Sequence, residues 1–306
     1  MEIHHVRRRW RPLGWLLLIV GCLPAAATAL SFLPFEQVRP FYDSFRYDGS
    51  DRVVAYLRPT QPQPNAAAIF VLHFNLGNAA SMANLTEVAE LARDEGIWII
   101  MPEAPGLTWS HDPNERGGDD DVGYLAALID DSVARFGLDP RRIYMTGYSQ
   151  GANMTVRMAC DRPDKIAAGA VVAATMRKTL SRQCVPSVAT PMVFFNGTED
   201  DQVPYDGGLL QVSLSAPEAV AFWADINGCA AAPEQTLLPD TVADQTRVRL
   251  DRYEGCASGG AVHFYTVQEG GHNWPGALDF IPRVGLTTQD IRANREMWNF
   301  FRRFAR

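Results

Sequence analysis

The chain has 306 residues, 47 % of them hydrophobic and 21 % charged, with a formal net charge of −7. That balance excludes a disordered or fibrous chain and is enough to fill one globular core. The acidic surface disfavours nucleic acid and anionic membranes as partners.

The first 29 residues read as an export signal. Arg7-Arg8-Arg9-Trp10-Arg11 is a basic head. Trp15-Leu16-Leu17-Leu18-Ile19-Val20 is an apolar run too short to span a bilayer, and Ala27-Thr28-Ala29 is a small-residue cleavage site. Cleavage after Ala29 leaves a mature domain of residues 30–306 without a transmembrane segment, secreted or periplasmic. A rival processing exists at Ile19-Val20-Gly21-Cys22, which resembles a lipobox and would place a lipid anchor on Cys22. The apolar continuation Leu23-Pro24-Ala25-Ala26 disfavours it, and the adjacent arginines also permit a twin-arginine route. Loss of four arginines and one glutamate takes the mature net charge to −10.

Beyond the leader the pattern alternates strand and helix. Val53 to Leu57 is an early strand, and residues 67–72 form a continuous apolar one. A helix is expected over residues 81–95, ended by Gly96, before the strand of residues 97–101. Asp121 is expected to cap a helix carrying Tyr124, Leu125, Leu128, Ile129 and Val133, closed by Gly137. Strands follow at residues 142–146, 168–172 and 191–195, a helix at 216–226, the last strand at 262–267 and a C-terminal helix with Ile291, Met297, Trp298, Phe301 and Phe304. Continuous apolar strands alternating with helices mean an α/β domain, a mostly parallel sheet covered on both faces. The proline-rich stretch of residues 58–65 reads as a loop between strands. No internal repeat or composition break divides the mature chain.

Cys22 leaves with the leader, so Cys160, Cys184, Cys229 and Cys256 remain, an even number in an oxidising compartment. Four cysteines allow three pairings; proximity favours Cys229 with Cys256, leaving Cys160 with Cys184. A buried free thiol is the competing role for Cys160, which falls in an apolar helix. The absence of any C-x-x-C spacing removes the usual thiol-metal and redox motifs.

Gly147-Tyr148-Ser149-Gln150-Gly151 stands between a strand and a helix that has no Gly or Pro. A sharp strand-to-helix turn crowds its neighbours, so glycines flank the serine, whose Oγ then stands clear of the sheet at a helix N-terminus. Such a serine needs a base, and the base an orienting acid. His272, in the glycine-marked loop Gln268-Glu269-Gly270-Gly271-His272 after the last strand, is the candidate base. His263 lies inside a strand, His73 closes an early strand with a loop-bracing role, and His111 lies in a polar loop and stays open. Asp200 in Gly197-Thr198-Glu199-Asp200-Asp201 is the candidate acid, with Glu199 and Asp201 as rivals. The run Asp119-Asp120-Asp121 is better explained by helix capping than by a metal ion.

With those residues in place the chain resembles the polyhydroxybutyrate depolymerase and feruloyl esterase type of secreted serine esterase, including LpqC-like proteins. The matching segments are Leu72-His73 with residues 77–80, residues 120–123, 147–154, Gly197-Thr198-Glu199-Asp200 with Val203-Pro204-Tyr205, and Gly270-Gly271-His272-Asn273-Trp274-Pro275-Gly276. The resemblance implies the α/β-hydrolase fold, the chain order nucleophile, acid, base of Ser149, Asp200 and His272, and both disulfides favoured above. It implies hydrolysis of small or oligomeric carboxylic esters, an oxyanion hole of the Gln150 N–H with one from Phe74 or Asn75, and chemistry needing neither metal nor organic cofactor. Trp109, Tyr148 and Trp274 are the candidate substrate-lining residues. Two other classes share the fold or the triad: a non-catalytic binding protein and a serine peptidase.

One residue departs from the pattern. The family has His-Gly at the turn after the early strand, where this chain has His73-Phe74. A ring in that space narrows the acyl side of the pocket or shifts the second oxyanion donor, and loss of such a donor costs roughly 100- to 1000-fold in turnover.

Overall fold

The structure, a computed structural model, describes residues 35, 37–114, 118–208, 212–257, 259–277 and 284–306. The expected leader, its cleavage site and Cys22 lie outside these residues.

The strands are β1 (Val38–Tyr47), β2 (Ser50–Pro59), β3 (Ala68–Leu72), β4 (Trp98–Pro102), β5 (Ile143–Tyr148), β6 (Ala168–Val172), β7 (Met192–Gly197), β8 (Glu234–Leu237), β9 (Arg247–Tyr253) and β10 (Val262–Gln268). They form one sheet in the order β1-β2-β4-β3-β5-β6-β7-β10-β9-β8. From β4 to β10 every neighbouring pair is parallel. Antiparallel pairs extend the sheet at both edges. The helices are α1 (Ala79–Thr86), α2 (Ala89–Glu95), α3 (Asp121–Phe136), α4 (Gln150–Asp161), the short α5 (Lys178–Ser181), α6 (Ala216–Ile226) and α7 (Ala293–Phe301).

Two hydrophobic layers follow from the two-residue period of the strands. Ile69, Val71, Ile99 and Phe195 point to the face covered by Leu91, Met297 and Phe301 of α2 and α7. Phe70, Leu72, Ile100 and Phe194 point to the opposite face, under Leu125, Leu128, Met154 and Trp223 of α3, α4 and α6. Burying each such side chain stabilises the fold by about 1.5–3 kcal/mol before the entropy of ordering it is charged against the gain. This is the α/β architecture expected from the apolar runs.

Three details depart from the sequence reading. The helix expected over residues 81–95 is two helices, because Glu87 turns into the left-handed region at φ 54°. The first of them starts earlier, at a capping box in which the Asn78 side chain accepts from Ser81 N–H and Ser81 Oγ accepts from Asn78 N–H. The cap of α3 is Asp120, which accepts from Gly123 N–H at 2.8 Å; Asp121 is instead its first residue. Asp121 is buried against Arg52 at 2.6 Å, and that guanidinium lies 4.3 Å from the centre of the Tyr124 ring. The strands β1, β8 and β9 were not anticipated.

Both disulfides are formed. Cys160, near the end of α4, joins Cys184 just beyond α5. Cys229, after α6, joins Cys256 ahead of β10, so Cys160 is not a free thiol.

Candidate active site

The serine turn is shaped by two glycines pressed together. A Cβ on Gly147 would lie 2.2 Å from the Gly151 carbonyl carbon, and one on Gly151 would lie 2.3 Å from the Leu72 carbonyl oxygen. The first turn of α4 therefore packs directly on the ends of β5 and β3. Ser149 between them has φ 55° and ψ −117°, a strained conformation held by Ser149 N–H donating to Val172 O and Asn153 N–H donating to Ser149 O. Gln150 opens α4, so its N–H is one of the four that no carbonyl within the helix can accept. The close packing of Gly151 on Leu72 and His73 sets that N–H beside the turn that follows β3.

Asp200 follows β7 and His272 follows β10, and these strands are parallel neighbours. The register brings the two side chains together: His272 Nδ1–H donates to Asp200 Oδ2 at 2.7 Å, with both residues buried. The other oxygen, Oδ1, accepts from the N–H groups of Gln202 and Val203 at 2.9 and 2.7 Å. The carboxylate is thus fixed by its own loop and presents one oxygen to the imidazole, which leaves Nε2 as the ring nitrogen for chemistry. Glu199 and Asp201, the rival acids, are exposed. All three strands that lead into Ser149, Asp200 and His272 run parallel, so the residues share the C-terminal edge of the sheet.

Tyr148, Trp109 and Trp274, the expected substrate-lining residues, are all buried. Tyr148 is 6 % exposed; its phenol donates to the His272 carbonyl at 2.5 Å, and its ring centre lies 5.1 Å from that of the imidazole. Burial first, then the Asp200 charge, push the phenol up, so it remains a donor. Trp109 is fully buried, its indole N–H donating to His73 O at 2.9 Å and its backbone N–H to Gln150 Oε1 at 3.0 Å. It ties together the two segments from which the oxyanion donors were expected. Trp274 is 2 % exposed and donates to Asn294 Oδ1 on α7. These aromatics brace the site from beneath because their polar atoms found partners inside the protein. No sequence signal marks those partnerships, which join positions far apart in the chain.

The departing residue is half-buried. The Phe74 ring lies edge-on to Tyr148, centres 5.6 Å apart, and comes within 3.0 Å of where a Cβ on Gly77 would be. Phe74 O accepts from both His73 Nδ1–H and Gly77 N–H, while Asn75 is exposed and its Oδ1 accepts from the Thr108 hydroxyl. Of the other histidines, His263 pairs with Glu254 at 2.6 Å at the start of β10, and the His111 ring contacts Trp109 O.

This geometry is that of an α/β-hydrolase fold, and residues 68–205 match the family described by that name. In sequence the chain is similar to feruloyl esterase B of Piromyces equi, 29 % identical over 65 % of this chain and 38 % of the relative. It is also similar to acetylxylan esterase A of Emericella nidulans, 32 % identical over 36 % of this chain and 38 % of the relative. The chain thus spans well under half the length of both. Among solved structures, an acetyl xylan esterase from Aspergillus awamori superposes with a TM-score of 0.60 over 86 % of this chain and 98 % of that one. At 15 % identity this likeness speaks to the fold alone.

Proposed function

We propose that the chain is an exported serine esterase that cleaves hydroxycinnamoyl, acetyl or short hydroxyalkanoate esters through Ser149, His272 and Asp200. The observation that carries this reading is the buried Asp200–His272 pair on the same sheet edge as a strained serine turn. His272 Nε2 takes the Ser149 proton as Oγ attacks the ester carbonyl, and Asp200 holds the tautomer and stabilises the imidazolium. The Gln150 N–H and one N–H of Phe74 or Asn75 receive the oxyanion. His272 then protonates the leaving alcohol, and water cleaves the acyl-enzyme by the same relay run again.

The names of the relatives support the ester class. Two disulfides support an oxidising compartment, in keeping with a signal over residues 1–29, a catalytic domain over 30–306, and lipidation at Cys22 as the rival processing. A panel of p-nitrophenyl acetate, p-nitrophenyl butyrate and methyl ferulate tests the reading. Ser149→Ala should lower turnover on each cleaved ester by about four orders of magnitude or more. Retained activity in that variant, or a fluorophosphonate adduct on another residue, would overturn it.

A further inference from the structure

At the opposite end of the sheet from Ser149 lies an open groove of about 470 Å³, lined by Phe41, Trp98, Phe136, Pro62 and Pro64 together with Gln63 and Asn65. Arg58 also lines it. This volume falls within the range of small-molecule sites. Trp98 begins β4 and Phe136 ends α3, so the groove opens at the N-terminal ends of the parallel strands.

Its charge is anomalous. In the register of β1 and β2, Arg39 stands directly opposite Arg58, and the next pair on the same face is Phe41 with Tyr56. Like charges directly opposite on a sheet are destabilising. Among the described residues neither guanidinium bonds a carboxylate, although the chain is acidic overall, and Arg58 Nε is buried with no acceptor. Neighbouring arginines are treated differently: Arg135 pairs with Asp43 at 2.6 Å and Arg142 with Asp139 at 3.1 Å. Arg58 in the lining and Arg39 opposite it in the register, neither paired with a carboxylate among the described residues, complement an aromatic ring that bears one negative charge.

We propose that this groove is a second binding site, distinct from the catalytic edge, for an aromatic monocarboxylate. The carboxylate accepts from Arg58 and Arg39, and the ring lies against Phe41 and Phe136. Gln63 and Asn65 add two amides to the lining, but the three rings of Phe41, Trp98 and Phe136 favour an aromatic acid over a sugar acid. Nothing in this site depends on Ser149, so it stands or falls apart from the esterase reading.

The test is calorimetric titration of the disulfide-bonded protein with sodium cinnamate, for wild type and for the double variant Arg39→Gln, Arg58→Gln. Wild type should bind cinnamate at least tenfold more tightly than the double variant, and at least tenfold more tightly than it binds acetate, which lacks the ring. Cinnamate should raise the melting temperature of wild type and not of the variant, whose own melting temperature should equal or exceed that of wild type once the repulsion is gone. Turnover of p-nitrophenyl acetate should be the same in both proteins. Equal cinnamate binding by both, equal binding of acetate and cinnamate, or tighter binding of glucuronate than of cinnamate would overturn the proposal. A fall in the variant's melting temperature with no cinnamate-dependent shift in wild type would make the arginine pair structural and would overturn it as well.

Discussion

A histidine that faces a carbonyl on one side and an amide N–H on the other has a single tautomer open to it. In His73 the proton sits on Nδ1 and is donated to Phe74 O, while Nε2 accepts from Ala104 N–H at 3.0 Å. Burial drives its pKa down from 6.5 to about 4. With the folded value below the unfolded one, the stability tied to the neutral ring is complete above pH 6.5 and drains away as the pH falls toward 4. The loss amounts to roughly 3 kcal/mol once the ring must be charged. Urea unfolding at pH 7 and pH 4.5 should show that fall in wild type, and His73→Gln should flatten the dependence across this window. Tyr148 makes a separate prediction. Tyr148→Phe removes the donor on the His272 carbonyl but keeps the ring, so kcat should drop about tenfold with KM little changed, because the base is displaced while binding is not. The Phe74 ring lies edge-on to Tyr148, whose phenol bonds the His272 carbonyl. Phe74→Gly should raise the ratio of kcat/KM for methyl ferulate over p-nitrophenyl acetate, and an unchanged ratio would assign the ring to packing alone.

The serine turn is an element that tolerates no added atom. Gly151→Ala would drive a methyl group into the Leu72 and His73 carbonyls, so α4 must move off β3. We expect a loss of about 2–3 kcal/mol in unfolding free energy and activity below a tenth of wild type, read by denaturant melts and steady-state rates. Its far end is anchored differently. Replacing Cys160 and Cys184 together by serine should cost about 3 kcal/mol by the chain-entropy model for a separation of 24 residues, while turnover at low temperature is kept. At this scale the sequence was readable wherever an element is defined by its own neighbours. The glycines around Ser149, the apolar run of β3 and the capping serine and proline of α6 are local signals. The break at Glu87 was not readable, because the helical pattern of Val88, Ala89 and Ala92 continues across it. The braces of Tyr148 and Trp109 were hidden for another reason: each polar atom meets a carbonyl or amide contributed by a distant segment.

The layered sheet was readable because parallel strands buried on both faces are near-continuous apolar runs, as β3, β4 and β6 are. The flanking strands escaped notice where that logic lapses. Strand β8 is mostly exposed and reads as loop, and β9 alternates arginine with apolar residues. Strand β1 shows two-residue alternation through Phe41, Phe45 and Tyr47, but Pro40 and its charged residues disguise it at the sheet edge. Strand order is not written in any local pattern, so the adjacency of β7 and β10 that joins Asp200 to His272 could be inferred only through the resemblance.

That adjacency has a consequence in time. Among the described strands β10 is the last to leave the ribosome, yet it belongs between β7 and β9, both of which are made before it. A growing chain that has emerged only as far as Cys256 already contains Ser149, Asp200 and all four disulfide cysteines, but the slot between β7 and β9 is still vacant. Closing the sheet and delivering His272 are one event. On the proposed mechanism the serine stays without its base until then.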